Sequence, residues 1–118
     1  MPKNLQLLLE LEELALFRRG LSLLGPGLED ADLDYLDQRI QKLRRKLPGE
    51  LLSRYDRLFR RYSDAVAVVS DGVCQGCHGE LSPRLGARLA AAREPLECEH
   101  CGRFIFAEQN APPYIASA

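Results

Sequence analysis

The sequence predicts an α+β chain in which an antiparallel helical hairpin, a short coiled coil, precedes a small ribbon held by four cysteines. Three observations carry this expectation. Leucines recur at helical spacing through the first half of the chain, broken hard at Gly25-Pro26-Gly27. Leu33, Leu36, Ile40, Leu43 and Leu47 step by 3, 4, 3 and 4, the a/d pattern of a coiled-coil seam. The second half instead places short β-forming runs around two Cys-x-x-Cys pairs. The expected units are a hairpin over 1–63, a ribbon over 64–110 and a flexible tail over 111–118.

Helix one is expected over residues 3 to 24, with Leu7, Leu11, Leu14 and Leu21 on one stripe. The Gly-Pro-Gly break turns the chain, and Asp30 or Asp32 is a candidate cap for helix two. Pro48-Gly49 interrupts the seam, which Leu51, Tyr55, Leu58 and Tyr62 resume. A kink, or a fresh helix with Pro48 in its first turn, is therefore expected. AVAVV (65–69) reads as a strand and Ser70-Asp71-Gly72 as a turn. Ser82-Pro83 opens a small helix packed through Leu85 and Leu89, and Phe104-Ile105-Phe106 reads as a returning strand.

Composition narrows the class. There is no Trp, with only four Phe and four Tyr, so a core of Leu, Val and Ala split between two pieces would gain from a staple. The start, MPKNLQLLLELEELALF, is interrupted by Glu10, Glu12 and Glu13 and lacks the unbroken apolar run of a signal peptide. No segment approaches the roughly 20 apolar residues that cross a bilayer. A cytoplasmic protein without membrane insertion is expected, and in that compartment paired cysteines bind metal or do redox work more often than they form disulfides.

Cys74-x-x-Cys77-His78 has the form of a c-type haem attachment signature. That reading needs export and leaves Cys98 and Cys101 without a role. A thioredoxin-like redox pair lacks its βαβ context. The full spacing, C-x2-C-x20-C-x2-C, is that of a C4 zinc ribbon in which two knuckles close a tetrahedron of thiolates. Cys74, Cys77, Cys98 and Cys101 are the candidate ligands of one structural Zn²⁺ per chain, with iron in the same S₄ cage as the other metal of this chemistry. Gly76, Gly79 and Gly102 are expected to relax the turns, and His78 and His100 to border the site. Four thiolates leave no position for water, so the expected protein is not an enzyme. A structural zinc contributes about 10 kcal/mol or more to folding a small module.

Charge is segregated along the hairpin. Arg39 to Arg61 holds nine Lys or Arg against two acids, whereas Asp30, Asp32 and Asp34 crowd the start of helix two. Such a pattern suits a solvated helix and its dipole. Read as docking surfaces, Lys42, Arg45, Lys46, Arg54, Arg57 and Arg61 are candidate contacts for nucleic acid or an acidic partner, and Asp30, Asp32 and Asp34 form a candidate acidic tip. The ribbon half (65–118) carries four Arg against six acids, and an S₄ zinc site adds about −2 more, a poor balance for binding phosphates. A protein-binding regulatory adaptor is the expected function, with nucleic-acid binding through the basic second helix as the alternative. The Leu-rich first helix can pack on its own hairpin or on a second copy in a homodimer.

"LPGELLSRYDRLFRR…AVAVVSDGVCQGCHGELSP…LECEHCGRFIF" resembles the bacterial C4-type zinc-ribbon proteins that carry an amino-terminal coiled-coil hairpin. The motifs that carry it are Leu47-Pro48, Tyr55, Gly72-x-Cys74-x-x-Cys77, and Cys98-x-x-Cys101-Gly102-Arg103 before a hydrophobic strand. The resemblance implies zinc ligation by the four cysteines and a regulator of flagellar or type III secretion. Its implied partners are an alternative sigma factor, secretion components or messenger RNA. Hairpins of that family are usually much longer than the one expected here. In architecture the chain also resembles regulators that insert a coiled coil into the secondary channel of RNA polymerase, with Asp30, Asp32 and Asp34 at the tip.

Overall fold

A computed structural model describes residues 2–23 and 30–108. The Gly25-Pro26-Gly27 turn and the tail over 111–118 lie outside the described residues. Helix α1 (Lys3–Leu23) and α2 (Asp30–Lys46) run antiparallel, tied by Arg18–Asp37 at 3.0 Å and Arg39–Glu10 at 4.0 Å. Asp30 and Asp32 lie within the first turn of α2 rather than at its cap. Helix α3 (Gly49–Tyr62) starts immediately after Pro48, which occupies the cap position instead of the first turn because Leu52 N–H donates back to the Pro48 carbonyl. Ser63 ends α3 in the left-handed region (φ 67°), its N–H donating to the Phe59 carbonyl at 2.8 Å.

Four short strands follow: β1 (Val66–Ser70), β2 (Val73–Cys74), β3 (Leu96–Glu97) and β4 (Phe104–Ala107), with α4 (Pro83–Ala90) between β2 and β3. The sheet order is β2-β1-β4-β3, with β1 and β4 parallel at its centre and both edges antiparallel. Asp71 (φ 53°) and Gly72 (φ 76°) form the two-residue loop between β1 and β2, where both central residues need positive φ. Ser82 caps α4 by accepting from Leu85 N–H, with Pro83 in the first position.

The period of two along β1 and β4 divides the interior. Val66, Val68, Phe104 and Phe106 face the helices and join Leu5, Leu8, Leu9, Leu11, Leu43, Leu47 and Tyr55 in one core. Ala67, Val69, Ile105 and Ala107 face the other way, against Leu81, Leu89, Cys74 and Cys98. Both faces of the sheet are covered, which is why AVAVV and FIFA are continuous rather than alternating apolar runs. Large side chains meet the helices, whereas Ala67 and Ala107 let α4 and the cysteine loops come close.

The expected leucine stripe of α1 is only partly the buried one. Leu11 is buried and Leu7 and Leu14 pack at the edge of the core. Leu5, Leu8, Leu9 and Glu12, all off that stripe, are buried as well, because α3 and β1 add a second wall beside α2. Beyond Leu14 this wall gives out, leaving Leu16, Phe17 and Leu23 exposed, together with Tyr35 on α2.

Candidate metal centre and its surroundings

Two loops of the same construction present the cysteines. In each, the residue after the second Cys donates its N–H to the carbonyl of the first: His78 to Cys74 at 2.7 Å, Gly102 to Cys98 at 2.9 Å. Each first Cys N–H in turn donates forward, to Gly79 at 3.0 Å and to Arg103 at 2.8 Å. His78 and Gly102 both lie at positive φ, 62° and 84°. Glycine takes that conformation without strain, and the first knuckle manages it with a histidine instead.

The four Sγ atoms lie within 4.8 Å of one another, and no disulfide joins them. Cys74 and Cys101 are 4.0 Å apart and Cys77 and Cys98 3.8 Å apart. Zn–S bonds of about 2.3 Å in a tetrahedron place sulfurs about 3.8 Å apart, so the donor set fits Zn²⁺. Backbone amides point at the sulfurs, Gly79 N–H to Cys77 and His100 N–H to Cys98, each at 3.4 Å. Burial pushes the Cys74 thiol up to about 12, opposed by N–H bonds from Cys77 and Gly76. Soft thiolates in a closed set suit a structural zinc, which supplies cross-linking rather than an open coordination position.

The spacing of the knuckles is set by what lies over them. A Cβ on Gly76 would stand 2.8 Å from Cδ of Arg103, and one on Gly79 would stand 2.6 Å from Cδ2 of His100. Of the three glycines expected to relax the turns, only Gly102 does so through φ; the other two make room for side chains. His100 Nε2 in turn meets the Glu80 carbonyl at 2.7 Å.

In the sequence Arg103 is only the end of the Cys98-x-x-Cys101-Gly102-Arg103 motif, yet in the fold it organises the junction. Its Nε donates to Asp64 Oδ1 at 2.8 Å, and its guanidinium lies 4.0 Å from the Tyr62 ring centroid. Burial opposes its charge, but the bonds to Asp64 and to the Cys101 side chain outweigh that and hold its pKa above the usual value. Tyr62 O–H donates to the Cys101 carbonyl at 3.0 Å. Arg54 bridges α3 to β3 through Glu97 at 3.1 Å. Glu12 accepts from the N–H groups of Ala65 and Val66. Burial pushes its carboxyl up to about 7, with Asp64 adding to the rise and Arg103 and the backbone bonds opposing it. Its place at the helical interval of Leu5, Leu8 and Leu9 was the available signal. In sequence alone Glu12 looks like an interruption of the leucine run.

The six candidate basic contacts do not form one surface. Arg54, Arg57 and Arg61 line a groove with Glu97 and Gly102. Lys42 and Arg45 line an open groove along α2, and Lys42 also borders, with Lys46, the groove between α1 and α2. Arg44, in the same basic run, is committed to Asp56 through bonds of 2.9 and 2.8 Å. Asp32 and Asp34 are exposed at the start of α2, and the Asp30 side chain lies outside the described residues.

Residues 73–105 match the family model of the C4-type zinc ribbon domain. Among solved structures, the chain is similar to CT398 from Chlamydia trachomatis, at 28% identity and a TM-score of 0.58 over 66% of this chain. It is also similar in fold to the HP0958 protein from Helicobacter pylori, at 20% identity and a TM-score of 0.62 over 67% of this chain. The alignment spans 34% of each of those proteins, about a third of their length. A search of curated proteins gave no match. No helix among the described residues is long and apolar enough to cross a membrane. The cysteine geometry and the family match together make residues 73–105 a C4-type zinc ribbon with one structural zinc ion.

Proposed function

We propose that this chain is a non-enzymatic regulatory adaptor whose zinc ribbon is a rigid base and whose hairpin docks a protein partner. The observation that carries the reading is that the large exposed apolar residues among the described ones all fall on the two hairpin helices, at Leu16, Phe17 and Leu23 of α1 and Tyr35 of α2. Phe17 and Tyr35 are 56% and 61% exposed. Large apolar groups left exposed on one hairpin of a small protein suit a binding surface. The metal site supports the absence of catalysis in this proposal, since four thiolates leave no coordination position for substrate or water. By resemblance the partner belongs to transcription or secretion machinery, in the cytoplasm.

Affinity capture of the tagged chain from its native cells, with and without nuclease, tests this. A stoichiometric protein that survives nuclease and is lost from a Phe17→Ser/Tyr35→Ser variant is the expected result. Nucleic-acid binding draws on the groove of Arg54, Arg57 and Arg61, where Arg57 and Arg61 have no carboxylate partner among the described residues. Capture abolished by nuclease, with RNA or DNA binding at about 50 mM salt, would replace the adaptor with that alternative.

A further inference from the structure

The outer side of α2 carries a charge order that reads the same for an antiparallel copy of itself. Asp34, Asp37, Gln38, Gln41, Lys42 and Arg45 follow at intervals of 3, 1, 3, 1 and 3, and so share one helical face. All six are exposed and line an open groove of about 450 Å³. The core seam of Leu33, Leu36, Ile40, Leu43 and Leu47 faces the opposite way, so this chain does not cover the groove with its own seam. Asp34, Lys42 and Arg45 form no ion pair among the described residues, and Asp37 is shared with Arg18.

We infer that this face pairs with the same face of a second copy, antiparallel about a two-fold axis between Gln38 and Gln41. Position 34 then opposes 45 of the partner copy and 37 opposes 42, each twice. Carboxylate meets cation at all four places. Gln38 opposes Gln41, and each side-chain amide has both a donor and an acceptor to offer the other. Self-complementarity about a two-fold is what an isologous interface requires. A parallel copy in register would set like charges opposite one another. The same segregation suits the dipole of α2, so the test has to isolate pairing between chains.

One helix face is smaller than the roughly 1,200 Å² that a stable interface buries, and exposed ion pairs are screened by salt. The dimer is therefore weak and salt-dependent. Sedimentation of the full zinc-bound chain over a concentration series measures it. Dimerisation is expected to weaken roughly tenfold or more between about 50 mM and about 500 mM salt. Asp34→Lys and Arg45→Glu alone are each expected to be monomeric, because each sets like charges together twice. Mixed in equal amounts they restore a dimer, since the heterodimer has an opposite pair at both ends. Zinc content and helicity confirm that these surface variants remain folded.

A wild-type chain that stays monomeric at low salt overturns the inference, including one that binds RNA through the basic half of the face. So does a dimer that survives both single reversals, or a mixture that stays monomeric.

Discussion

Replacing Glu12 with Gln should change how stability depends on pH more than it changes stability at any one acid pH. Glu12 is 7% exposed, and its carboxyl is raised from an ordinary 4.5 to about 7, chiefly by burial. Below about pH 4.5 the group is protonated in both states and contributes no pH dependence. As pH rises through the window to about 7, the unfolded chain releases the proton while the native chain retains it, so stability falls. Above that window the loss is complete. A separation of about 2.5 units at 1.36 kcal/mol each gives a loss of about 3 kcal/mol. Glutamine keeps a carbonyl oxygen for the Ala65 and Val66 N–H groups and cannot ionise. Urea melts of both proteins at about pH 5 and about pH 8, with zinc in excess, give the double difference. Comparing the two removes the shared effect of pH on thiolate–zinc binding. Part of the loss has already occurred by pH 5, so the variant should gain about 2.5 kcal/mol relative to wild type on going to the higher pH. Parallel stability curves would refute a carboxyl held protonated by burial.

Three further outcomes follow from the same contacts. Tyr55 O–H is buried with no hydrogen-bond partner among the described residues, so Tyr55→Phe should be neutral or stabilising by up to about 1 kcal/mol in denaturant melts. Gly76→Ala places a methyl against the Arg103 side chain, which Asp64 and Tyr62 hold in place, and should cost about 1–3 kcal/mol by the same assay. Arg103→Met should relieve that clash when combined with it, a non-additivity a double-mutant cycle would read. Chelating the metal, or Cys98→Ser, should unfold residues 73–105, seen as lost amide protection at β2 and both knuckles; metal-free protein with unchanged protection would contradict a structural zinc.

The local rules were legible in the sequence. The a/d seam of α2 predicted the packed positions Leu43 and Leu47, and Asp71-Gly72 and Ser82-Pro83 predicted a turn and a cap found in place. The spacing of the four cysteines predicted their convergence, because two short knuckles separated by twenty residues can close one tetrahedron and a redox pair needs neither the second pair nor that interval. Tertiary structure decided which face of each helix was innermost. α1 is walled by α2 on one side and by α3 with β1 on the other, so its buried set is Leu5, Leu8, Leu9, Leu11 and Glu12 rather than a single stripe. It also decided what the charges do. The nine bases between Arg39 and Arg61 are nine equivalent cations in composition, but Arg44, Arg54 and Arg39 meet carboxylates, while Lys42 and Arg45 are exposed without an ion pair among the described residues. Arg103 needed the fold most. Its partners Asp64 and Tyr62 lie about forty residues away along the chain, 39 for Asp64, and no local pattern could bring them beside the zinc knuckles.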